Sequence, residues 1–197
     1  MDGTAKSSRG RDHADAPGAK GSVARATGNF RPTRFLLVFF LSLLIGFALL
    51  FTPWIQVVDA AFSRVLVRVS HAVIVGCGGH AVMQGAALRT PGGAFGVEMQ
   101  DGCNGINVTI LLFSAILAFP ASWKVRMAGL LAGTLIIQGL NIVRFVSLFY
   151  IGQYSMSWFD FAHGYLWESL LILDTLVVFW VWVNWVFRSG AASNATP

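Results

Sequence analysis

Long apolar stretches dominate the chain, and the first of them fixes the solvent in which it must fold. Phe35 to Ile55 contains no Asp, Glu, Lys or Arg. At about 1.5 Å per residue it reaches across a hydrocarbon core of roughly 30 Å. Three further apolar runs follow: Asn104 to Phe119, short and closed by Pro120, Met127 to Ile151, which is long, and His163 to Phe187. Composition agrees: 55% of residues are apolar and only 12% are charged, about half the charged share of a soluble domain. The expectation is one all-α integral membrane domain with about four transmembrane helices. A cleaved leader is the alternative for the first run, but its basic region would be unusually long, and only Asp59-Ala60-Ala61 hints at a cleavage site.

Between the first two runs the pattern changes. From Val57 to Gln84, Arg64, Arg68 and His71 recur at helical spacing, with Val65, Leu66, Val69 and Val73 opposite them. This predicts an amphipathic helix lying in the membrane interface. From Gly85 to Asp101 the period is two: Phe95, Val97 and Met99 alternate with Gly96, Glu98 and Gln100 after the turn signal Pro91-Gly92-Gly93. A small extracytoplasmic β-hairpin is predicted there.

The net charge of +5 could suggest a nucleic-acid partner in a soluble chain. Here no basic stripe is interleaved with base-stacking aromatics. Half the basic residues, Lys6, Arg9, Arg11, Lys20, Arg25, Arg31 and Arg34, precede the first run. Residues 1–34 are read as a disordered basic cytoplasmic tail, 35–188 as the membrane-embedded domain, and 189–197 as a short cytoplasmic tail. With both termini inside, the inner segments also carry Lys124, Arg126 and Arg188, and the outer ones only Arg64, Arg68 and Arg89. Trp54 and Trp158 then fall at the outer interface, and Trp123, Trp182 and Trp185 at the inner one.

Polar groups inside a span are costly and are functional candidates for that reason. Gln138, Asn141 and Arg144 step by three along one face of the third run. His163 and Asp174, eleven residues apart, share a face of a regular helix and are expected to point into the bundle. Cys103, Asn107 and Ser114 share a face of the second run. The topology brings Cys103, Arg144 and His163 to one level on the outer side. In Asp101-Gly102-Cys103-Asn104-Gly105 a thiol lies at or just before a helix N-terminus, where free N–H groups favour thiolate. A guanidinium nearby stabilises thiolate or an oxyanion, and an imidazole can protonate a leaving amine. Gly102 and Gly105 admit a close backbone approach, while the carboxylates Glu98 and Asp101 oppose a thiolate. The bland alternative is a structural Arg144–Asp174 pair with Cys103 and His163 incidental.

These residues resemble the exosortase/archaeosortase family of membrane cysteine transpeptidases, and the short form most resembles exosortase H. The likeness rests on Asp101-Gly102-Cys103-Asn104-Gly105-Ile106, on Asn141-Ile142-Val143-Arg144 and its continuation, and on His163-Gly164-Tyr165-Leu166-Trp167, in that order. It implies a catalytic set of Cys103, Arg144 and His163, with Asn104, Gly105, Asn141 and Asp174 supporting or binding substrate. It also implies cleavage of a C-terminal sorting tail on secreted precursors, through a thioacyl enzyme at the outer membrane–water interface of a bacterial inner membrane. The tail has a recognition motif (Ile-Pro-Thr-Leu-x-x-Trp-Gly in exosortase H), a hydrophobic helix and a basic cluster. The acceptor nucleophile is unknown, and no cofactor or metal is implied.

Two other classes compete. Cys77 and Cys103 both lie outside the membrane and could serve thiol redox chemistry, but there is no C-x-x-C pair. The polar stripe with Asp174 also suits a non-enzymatic transport or assembly subunit, although no inverted repeat is visible. Gly76-Cys77-Gly78-Gly79-His80-Ala81 fits a dinucleotide-loop pattern without the βαβ unit that gives it meaning. His71 and His80 lack ligand spacing with Cys77.

Overall fold

The computed structural model describes residues 31–100 and 102–188. The expected tails fall outside the described residues for 1–30 and 189–197, as does Asp101.

Helix α1 spans Pro32–Leu50. Proline sits in its first turn, where a missing N–H costs nothing. The chain breaks at Phe51-Thr52 and restarts as α2, Pro53–Gly76, again with proline in the first turn. The first apolar run therefore stops short of Ile55, because Pro53 cannot continue a helix but readily starts one. The amphipathic helix likewise starts at Pro53 and ends at Gly76, not at Gln84. Its packed stripe is Ser63, Leu66, Val67, Ser70 and Ile74. Of the apolar face expected from periodicity only Leu66 is buried, while Val65, Val69 and Val73 face outward.

The expected hairpin is a three-stranded antiparallel sheet of β1 Val82–Gln84, β2 Ala87–Arg89 and β3 Gly96–Glu98. Val82 faces Arg89, and Leu88 faces Val97. The added strand comes from the segment assigned to the end of the amphipathic helix. The period-two pattern holds in β3, where Val97 and Met99 are buried and Gly96, Glu98 and Gln100 are exposed.

Helix α3, Ile106–Ala118, has 13 residues, about 20 Å of rise. Helix α4, Trp123–Tyr154, has 32. A single residue, Ser155, joins it to α5, Met156–Phe161, which runs through a π-turn at Ala162–Leu166 into α6, Trp167–Arg188. Among the described residues three helices are long and apolar enough to cross a membrane: Pro32–Leu50, Trp123–Tyr154 and Met156–Arg188. The second expected span is shorter than the other three. Its leading Asn104 and Gly105 belong to a loop, and Pro120 stops it.

Two apolar cores form. One joins Leu66, Val67 and Ile74 of α2 to Leu88, Val97 and Met99 of the sheet and to Phe145 and Phe149 of α4. The other joins Leu112 and Ile116 of α3 to Leu130 and Ile137 of α4 and to Trp182 and Val186 of α6. Trp182 is thus a core residue and not part of an interfacial belt. It packs edge-on against Phe119 and donates its indole N–H to the Val125 carbonyl at 3.3 Å. The stretch of α4 between the two cores carries Asn141 and Arg144, both buried.

Candidate active site

The thiol-bearing loop connects the sheet to α3. Gly102 and Gly105 have φ of +87° and +77°, values that L side chains adopt only with strain. Gly105 is the N-cap of α3, so Cys103 stands two residues ahead of the cap. The Cys103 N–H donates to the Gln100 carbonyl at 3.0 Å. Asn104 is fully buried and locks the loop in place. Its Nδ2 donates to the Asp59 carboxylate and to Ser63 Oγ at 3.0 Å, both on α2. Its Oδ1 accepts from the Ile106 N–H at 3.1 Å, satisfying one of the orphan donors of the first turn of α3.

The structure brings Cys103, Arg144 and His163 together. The Cys103 Sγ lies 3.8 Å from His163 Nε2 and 4.0 Å from Arg144 Nη2. The same Nη2 donates to Glu168 Oε1 at 3.0 Å. The guanidinium is buried, whereas the Glu168 side chain is 56% exposed. The cation therefore reaches the thiol from inside the bundle and is paired on its other side with an exposed carboxylate. Its partner is Glu168 and not Asp174.

The π-turn explains this. Its wide turn carries a bond from the Trp167 N–H to the Ala162 carbonyl, five residues back. One extra residue rotates everything downstream by about 100° relative to a regular helix. Asp174 is thereby carried off the face of His163; it is half-buried and does not line the site. Glu168, five residues after His163, is carried onto that face. The His163 ring stacks on Phe159 with centroids 5.7 Å apart and planes 3° apart. Phe159 meets Phe95 edge-on, and Phe95 contacts Phe149 of α4. The sheet thus braces the imidazole.

Asn141, Cys103, Arg144 and His163 line one cleft with Val97, Glu98, Phe145 and Leu148. Its volume is about 20 Å³, room for one oxygen-sized group. Gln138, one turn before Asn141, donates to Thr109 Oγ1 at 3.3 Å. A Cβ on Gly105 would stand 3.3 Å from the Gln138 amide and 3.4 Å from Asn141 Nδ2, so glycine there serves both backbone and space. Ser114 does not join the site; its hydroxyl bonds the Ile110 carbonyl.

Sequence reasoning missed Glu168, Asp59 and Ser63. The π-turn hid the first. The others sit in a segment read only for its amphipathic period. Both cysteines are free thiols, and Cys77 is exposed. Among the described residues no group of three His, Cys, Asp or Glu side chains is placed to hold a metal.

Comparison with curated proteins and with solved structures gives no match. Comparison with family models matches Transmembrane exosortase (Exosortase_EpsH) over residues 21–185, which takes in every residue of the cleft and well over half of the chain. The chain belongs to the transmembrane exosortase family.

Proposed function

We propose that this multi-pass membrane protein is a cysteine transpeptidase or protease that removes C-terminal sorting tails from secreted precursors. The observation that carries the reading is one thiol within 4.0 Å of both a buried guanidinium and an imidazole, supplied by three separate elements. Family membership adds the reaction class.

Cys103 attacks the scissile carbonyl as thiolate. The S–C bond forms and the carbonyl π pair moves onto oxygen. The pair then returns, the C–N bond breaks, and His163 delivers a proton to the departing amine. A thioester on Cys103 remains. An acceptor amine or hydroxyl, or water, attacks it, gives its proton to His163, and expels the thiolate. Arg144 stabilises the thiolate before attack and again as it is expelled, while Glu168 holds the guanidinium in place.

The site is assigned to the extracytoplasmic side of a bacterial inner membrane, with both termini cytoplasmic. The side follows from the bias of Lys and Arg toward the tail, Lys124, Arg126 and Arg188, and helix length gives the depth. Arg144 lies twenty-one residues along α4 from Trp123, about 32 Å of rise. A start at the inner interface therefore carries it to the outer edge of a roughly 30 Å core. The substrate's hydrophobic helix would then lie along the bundle with its motif at the cleft and its basic cluster inside.

The test compares C-terminal masses of secreted proteins bearing motif–helix–basic tails in source cells, with wild type and with Cys103→Ala. Tails that persist only in the mutant support the reading, and the new terminus identifies the cut site and acceptor. Equal removal in both would sink it and favour a transport or assembly role.

A further inference from the structure

We infer that Asn141 is the oxyanion donor of this site: its side-chain N–H binds the carbonyl oxygen of the acyl group under attack by Cys103. The inference rests on the cysteine-nucleophile reading above.

Asn141 is 1% exposed, yet among the described residues neither its Nδ2 nor its Oδ1 has a hydrogen-bond partner. A buried amide left unpaired is costly, and native proteins keep few of them. This one lines the same cleft as the thiol, the guanidinium and the imidazole. It stands one helical turn before Arg144 on the face that carries Arg144. The neighbouring donors each have a partner already. Asn104 holds Asp59 and Ser63, Gln138 holds Thr109, and Arg144 Nη2 is shared between the thiol and Glu168. The cleft's 20 Å³ suits an oxygen atom and little more.

A carbonyl entering the cleft gives the unpaired amide a partner. As the S–C bond forms, charge develops on that oxygen and the Nδ2–H bond strengthens. As the C–N bond breaks, the oxygen's electron pair re-forms the carbonyl and the charge on oxygen is lost. Asn141 exchanges no proton. A donor fixed in advance, in a small cleft, acts at the moment charge appears.

The experiment uses the full chain in membranes, in a Cys77→Ser background that leaves Cys103 as the sole thiol. Two probes separate the roles. Iodoacetamide alkylates Cys103 by displacement at a saturated carbon and develops no oxyanion. p-Nitrophenyl acetate acylates it through a tetrahedral oxyanion, with a leaving group that needs no proton from His163. For Asn141→Ala, alkylation should stay within about twofold of wild type while acylation falls about 100-fold, the effect of losing one such donor. Asn141→Asp, which keeps the shape but sets a carboxylate against the oxyanion, should fall at least as far. If the alanine variant fails to fold, Asn141→Leu keeps the branched shape without an N–H donor and carries the same comparison. Equal loss in both reactions would make Asn141 a support for the thiol, and unchanged acylation would leave it without a role; either overturns the inference. Wild-type acylation no faster than that of the urea-unfolded chain would instead overturn the parent reading of Cys103.

Discussion

At the scale of single residues, the site depends on a cation placed where its charge is worth most. Arg144 is buried and makes its two contacts from one nitrogen, to Cys103 and Glu168. A fork of two nitrogens on one partner is not what the geometry uses; reach and retained charge are. Lysine is shorter and sheds its proton more readily when buried. Arg144→Lys is expected to lower processing about 10- to 100-fold, since one charge-assisted bond is worth roughly 1.5–3 kcal/mol. Rates of tail removal in source cells measure this, and full activity would show that a point charge suffices. His163→Ala should cost about 10²- to 10⁴-fold in the same assay. Gly105→Ala meets both a left-handed backbone and the amides of Gln138 and Asn141. It should destabilise the protein by about 1–2 kcal/mol from the backbone alone, visible as a lowered thermal midpoint in detergent.

At the scale of elements, the π-turn decides which residues of the last helix meet the thiol. The expected His163–Asp174 face assumed a continuous 3.6-residue period, and one extra residue breaks it. Removing that residue tests the idea directly. Deletion of Gly164, which is exposed with open space around its Cα, should restore α-geometry and turn His163 away from Cys103 by about 100°. Processing should then disappear while helical circular dichroism stays unchanged. Activity in the deletion variant would show that the turn does not set the site. Helix α2 also holds part of the site in place. Through Asp59 and Ser63 it anchors Asn104, and through Asn104 the loop that carries Cys103.

At the scale of the whole molecule, the cleft sits where two cores meet. Cores on either side hold α4 rigidly while polar groups occupy the seam between them. That arrangement keeps a buried cation and an unpaired amide from disturbing the packing that supports them. The proposed orientation has a direct check. Cys77 is exposed at the end of α2, so a membrane-impermeant maleimide should label it in intact spheroplasts. A cysteine placed at Lys124 should label only after lysis. The reverse pattern would put the cleft on the cytoplasmic side.

The sequence by itself determined the solvent, the approximate helices and the order of the chemical groups. Runs long enough to cross a membrane, without charge or with one or two charges inside, leave little choice, and period two marked β3 through Val97 and Met99. The spacing of Gln138, Asn141 and Arg144 survives because α4 is a regular helix. What the tertiary structure decided are the departures from regular period and the contacts between distant segments. Proline at position 53 moved a helix boundary, and a third strand formed where a helix was expected. The π-turn exchanged Asp174 for Glu168 as the carboxylate beside the site, because helical phase is carried by every residue and a single insertion resets it. The tie from Asn104 to Asp59 and Ser63 joins residues more than forty positions apart. A local pattern holds no record of such a contact, since only packing chooses which buried amide meets which carboxylate.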